Sequence, residues 1–194
     1  MTSSEKNSII DLNHTLTLKA QEDMRHVKRK HQMLVDNSMA NQDANLRLYH
    51  ADLILLAASS QNDIADAIAT YLPEILDVAA AKLITTPDSG LSGLSQVLVV
   101  SIDAFHELTC MNGIFLGPVN SAQQSVCDAA NIQQPESIAC VRLPDDLPGT
   151  NGASLLLLAG RNKDSFTASH GTDLLEQLVM KIAVAMVARP ALGA

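Results

Sequence analysis

Between Thr15 and Ala58 the chain has neither Gly nor Pro, and side chains recur there at alternating spacings of three and four. Met24, Val27, His31 and Leu34 form one stripe, and Leu46, Tyr49, Leu53 and Leu56 form a second. The two stripes do not share one heptad register, and Ser38 to Asn45 between them is mostly polar. This pattern predicts a single long helix over residues 15–58 with an interrupted coiled-coil seam. A seam this narrow buries little by itself, so the helix pairs with a second copy or another protein, or lies flat on its own domain. Residues 1–14 are polar, rich in Ser and Asn, and read as a disordered N-terminus.

Residues 59–194 read as one domain. Ser59 to Asp63 breaks the pattern with good capping residues, and Ile64, Ile68 and Leu72 then mark a short amphipathic helix that Pro73 kinks or ends. Ala79 to Thr85 reads as a strand closed by the turn-rich Thr86 to Gly90, and Gln96 to Ile102 as a second, β-branched strand. Ala104 to Cys110 suits one or two helical turns, and Gly113 to Val119 a short strand. Ser121 to Asn131 has little pattern. Ser137 to Leu143 and Ala153 to Ala159 form a hairpin across Pro144 to Gly152, and the second strand, apolar on both faces, must be covered on both. A last helix ends near Arg189, with Leu174, Leu178, Val179, Ile182 and Met186 as its core stripe. Hairpin-linked strands with helices at both ends make an α+β fold around an antiparallel sheet.

Composition narrows the function classes. Aromatic residues are 3% of the 194, with no Trp, which is thin for a protein that stacks bases or sugars. The net charge of −8 argues against nucleic acid or an anionic membrane as partner. A basic cluster of Lys19, Arg25, Lys28, Arg29 and Lys30 stands apart from this acidic body and reads as a solvated helix face. Cys110, Cys127 and Cys140 have no paired spacing, so reduced cytoplasmic thiols fit better than a disulfide framework or a zinc site. No signal peptide or bilayer-spanning run is visible.

The C-terminal third carries a family resemblance. SIACVRL, then ASLLLLAGRNKDSF, then GTDLLEQL resembles the GAF-like proteins grouped as domain of unknown function 484. In this chain the similar positions are Gly160, Asp164 and Phe166 after the strand, followed by Gly171, Thr172 and Leu175. The resemblance is sharpest over 137–187 and implies a long N-terminal helix ahead of a GAF-type sheet. GAF domains as a class bind small ligands or serve as dimer interfaces in signalling, and the resemblance assigns no activity.

No phosphate loop, HExxH, GxSxG or dinucleotide fingerprint occurs in the chain. The chain therefore reads as a non-enzymatic regulatory or adaptor protein that needs no cofactor or metal and forms a homodimer through its N-terminal helix. The alternative is a sensor of a nucleotide-like or other anionic metabolite. A GAF-type pocket would lie between the sheet and the segments 104–110 and 121–131 that cross it. Those segments hold no Lys or Arg, which leaves Arg142 and Arg161 as the anion contacts. Asp164, Phe166 and His170 complete the candidate set. A structural account competes with this one: a surface ion pair for Arg142 and a turn contact to Asp164 for Arg161.

Overall fold

The computed structural model describes residues 3–109 (side chains from 14), 113–144, 153–167 and 172–189. It divides into two compact units, Met1–Asp43 and Ala44–Ala194. The first is helical throughout its described part and belongs to α1 (Ser3–Ala57). The helix thus takes in residues 3–14, which the composition of that stretch had placed in a disordered tail. Every side chain described in residues 14–43 is exposed, Leu16, Met24, Val27, Leu34 and Met39 among them.

The second unit is a five-stranded sheet between two helical layers. Its elements after α1 are α2 (Gln61–Thr70), α3 (Leu72–Leu76), β1 (Ala80–Thr85), β2 (Val97–Val99) and α4 (Ile102–Leu108). There follow β3 (Ile114–Pro118), α5 (Ser121–Ala129), β4 (Ser137–Arg142), β5 (Ser154–Ala159) and α6 (Asp173–Val187). Across the sheet the strand order is β2-β1-β5-β4-β3. The pairs β1–β5, β5–β4 and β4–β3 are antiparallel, and β1–β2 is parallel. The sheet is therefore mixed, where the strand pattern had suggested a purely antiparallel one. Residues 86–96 make the crossover that a parallel neighbour requires, and they bury Leu91 and Leu94 as they cross. Their turn chemistry resembles that of a hairpin, because turn residues report a reversal and not the side on which the next strand lands.

Side-chain alternation divides the interior in two. Ala81, Leu83, Ala139, Val141, Leu156 and Leu158 face α1, α2 and α6. Ile84, Ile138, Cys140, Leu155, Leu157 and Ala159 face α4 and α5, meeting Phe105, Leu108, Val126 and Cys127. Every residue of β5 is buried, as a strand apolar on both faces demands. The edges are short or interrupted: β2 has three residues and β3 ends in Pro118, which limits further strand addition.

Local chemistry sets the helix boundaries. Ser60 and Asp63 form a reciprocal capping box at the start of α2. Pro73 lies in the first turn of α3, where its missing N–H costs nothing, so the break precedes the proline. The patternless stretch after Asn120 is α5, started by a second capping box between Asn120 and Gln123. The expected strand over 96–102 is cut to three residues because Ser101 caps α4, its hydroxyl accepting from the Ala104 N–H.

The N-terminal helix also contributes to the domain core. Leu48, Ala51 and Leu55 of α1 are buried with α2, α6 and the sheet. The domain therefore begins near Ala44 rather than at Ser59. Arg189 locks the end of this helix, donating to the Ala58 and Leu56 carbonyls of the α1 end and to Ala185 of α6. Gln61 adds a buried side-chain bond to the Met186 carbonyl. In chemical denaturation Leu55→Ala should cost about 2–5 kcal/mol, as for other buried leucines. A chain beginning at Ala44 should keep a cooperative transition that one beginning at Ser59 loses.

Candidate functional site

The space between the sheet and its crossing segments is filled with side chains. Phe105 and Leu108 of α4, and Val126 and Cys127 of α5, are packed onto Ile138, Cys140, Leu155 and Leu157. Gln123, also buried, donates its amide to the Glu107 carbonyl and so ties α5 to α4. Two cysteines lie on this face, Cys140 mid-strand in β4 and Cys127 in α5, and both are buried. Burial, with a smaller contribution from the Asp128 carboxylate, pushes the Cys127 thiol up to about 11. Such a thiol is protonated and unreactive near neutrality. Cys110 lies outside the described residues.

The hairpin places the two candidate arginines far apart. Arg142 ends β4, opposite Leu155 at the start of β5. Arg161 follows the far end of β5, where Ala159 pairs with Ile138 at the start of β4. Antiparallel pairing thus sends them to opposite ends of one ladder, and the geometry does not bring them onto one small anion. The exposed Arg161 pairs at 3.1 Å with Asp77, not with Asp164 as its turn position had suggested. Asp77 closes α3 in the left-handed conformation, with φ of 56°. His170 is outside the described residues.

Gly160, Asp164 and Phe166 lie in or beside a tight turn. The Asn162 side-chain oxygen accepts from the Asp164 N–H and the Ser165 hydroxyl, and Ser165 Oγ accepts from the Asn162 N–H. Ser137, at the start of β4, donates its hydroxyl to the Asn162 carbonyl at 2.6 Å. A methyl group on Gly160 would overlap Ser137 Oγ and come within 2.6 Å of Ser165 Cβ. Gly160 is therefore required by the close approach of this turn to β4. Asp164 is exposed, and Phe166 packs half-buried on the main core.

Phe166 also lines a cleft of about 240 Å³ with Arg47, Leu76, Leu116, Leu158 and Leu174. The cleft is mostly apolar, and Arg47 there donates to the Leu76 carbonyl at 3.0 Å. A larger groove of about 430 Å³ runs between α1 and α6. Among the described residues no three His, Cys, Asp or Glu side chains are grouped to hold a metal ion. No described helix is long and apolar enough to cross a membrane.

What the geometry leaves open to solvent is apolar helix surface. The stripe of Leu46, Tyr49, Leu53 and Leu56 is exposed, because the domain takes the other side of α1 through Leu48, Ala51 and Leu55. Met180 and Val184 of α6 are exposed as well. The predicted core stripe of α6 is buried at Leu178, Val179, Ile182 and Met186. Met180 and Val184 fall four apart outside that stripe, a signal of a second apolar face that was legible but unused.

One comparison with known proteins bears on identity. The family model described as "Protein of unknown function, DUF484" matches residues 3–189. The chain belongs to this family. The match covers both α1 and the sheet, so the long helix is as much a part of the DUF484 family's extent as the domain is. No curated protein matches the chain significantly.

Gly160→Ala should cost about 1–3 kcal/mol in denaturant unfolding, the usual range for overpacking. Cys127 should react with thiol reagents at pH 8 only as fast as the protein unfolds. The unfolded thiol ionises from about 9 while the native one holds its proton to about 11. The native state thus binds more protons in that window, and stability should fall as pH rises through it. Cys127→Ala should remove that part of the slope.

Proposed function

We propose that this protein is a non-catalytic, cytoplasmic regulatory or adaptor protein, a GAF-like domain that assembles as a homodimer through its N-terminal helix. The observation that carries the reading is the exposed apolar surface of α1, on Leu46, Tyr49, Leu53 and Leu56 in the domain and on Met24, Val27 and Leu34 ahead of it. Long helices keep such residues in water only at a cost that a partner removes. The GAF-like reading is supported by a mixed sheet with end helices on one face and crossing segments on the other. A scaffold role is supported by the filled interior of the crossing-segment face and by the raised pKa of its buried thiol. The partner that receives the signal is another protein, bound by helix surface.

The alternative, a sensor of a small anionic metabolite, draws on the cleft where Phe166 and Arg47 meet. It moves the site from the expected face of the sheet to the side of α1, α3 and α6. Thermal-shift screening against anionic metabolites separates the two, since a sensor gains stability with the logarithm of ligand concentration above its dissociation constant.

Analytical ultracentrifugation tests the main reading directly. The full chain should sediment as a dimer at micromolar concentration. Leu53→Glu should weaken the dimer at least tenfold without lowering the thermal midpoint of the monomer. A chain that stays monomeric at tens of micromolar overturns the reading.

A further inference from the structure

We infer that the homodimer interface is a composite platform of α1 and α6 within the domain, and that its occupant is a second copy of this chain docked about a two-fold axis. The inference rests on the assembly reading above and goes further by locating the contact on Ala44–Ala194, with α6 as an obligatory half.

Three observations on that surface carry it. The first is extent. Leu46, Tyr49, Leu53, Leu56, Met180 and Val184 are each between 46% and 71% exposed. Together they present on the order of 700 Å² of side-chain surface, close to the roughly 800 Å² per partner that a standard specific interface buries. The second is shape. Beside the outer ridge of α1, which bears Tyr49 and Leu53, lies the groove of about 430 Å³ between α1 and α6, lined by Leu55, Leu56, Val184 and Ala185. A two-fold contact requires one surface to be its own complement. Ridge next to groove satisfies that, because each copy inserts its ridge where the other is hollow.

The third is charge and rigidity. The groove is crossed by the ion pair of Lys181 with Asp52 at 2.6 Å, and Arg189 stands at its end. Two copies carrying −8 each repel through most of their surface, whereas the one carboxylate lining the groove, Asp52, is neutralised by Lys181. The same ion pair, with the bonds from Arg189 to the Leu56, Ala58 and Ala185 carbonyls, fixes α1 to α6 before any partner arrives. Little conformational freedom is then lost on docking.

Placing the dimer here gives residues 14–43 a different task. Their exposed side chains lie outside the two-fold contact. The composite platform predicts that charge on α6 dissociates the dimer as effectively as charge on α1.

The test measures the dimer dissociation constant of full-length variants by sedimentation, with thermal melts as the check on folding. Val184→Glu and Met180→Glu alter half-exposed positions of α6 and should fold normally. Each should raise the dissociation constant at least tenfold, while Leu34→Glu leaves it within about twofold. A dimer that survives both α6 substitutions overturns the platform, as does one dissociated by Leu34→Glu. If Leu53→Glu dissociates the dimer and Val184→Glu does not, assembly through α1 stands and the part assigned to α6 falls. A monomeric wild type defeats both readings.

Discussion

Burial of β5 on both faces is the constraint from which this architecture follows. Leu155 and Leu157 point one way, Leu156 and Leu158 the other, and all four are inaccessible to water. A strand of this kind cannot sit at an edge or face solvent, so it needs a neighbour on each side and a layer above and below. β1 and β4 supply the neighbours. α4 and α5 make one layer, and α2, α6 and the last turns of α1 the other. The recruitment of α1 is the part with functional reach. Without Leu48, Ala51 and Leu55 that layer would lack one of its helices.

Much of this was legible from residue order. The doubly apolar strand, the hairpin partner, the last helix and the unbroken first helix all carry periodic signals that survive folding, because the same burial produces them. The direction of β2 was not legible, since side-chain alternation is identical in parallel and antiparallel strands and only the path of the connection decides. Nor was α5, whose nine residues hold few apolar side chains and whose capping box does the placing. The end of the helical region misled for a related reason. The break at Ser59 marks where the helix stops, whereas the domain begins where the buried stripe of Leu48, Ala51 and Leu55 begins.

Where the candidate residues lie in the fold was only partly legible in the sequence. Arg142 and Arg161 are close on either side of a hairpin in sequence terms, yet the antiparallel ladder separates them by its whole length. Sequence proximity around a hairpin measures distance from the loop, and two residues on opposite sides of one strand pair need equal distances to meet. Asp164 and Phe166 were singled out because they stand in a shared family pattern. That pattern proves to be turn chemistry, with Gly160 at the point of closest approach and Asn162 at its centre. The exposed apolar stripe on α1 was visible in the sequence, but Met180 and Val184 of α6 only come near it once the chain has folded.

The clasp between α1 and α6 also has a history in time. Asp52 and Lys181 are far apart along the chain, as are Ala58 and the Arg189 that binds its carbonyl. During synthesis the helix carrying Leu48 and Leu55 emerges long before the residues that cover it. Contacts of such sequence separation form late and slow the search for the native state. Until α6 arrives, α1 presents two greasy sides instead of one, and the nascent chain is at its most adhesive just when its own fold cannot help it.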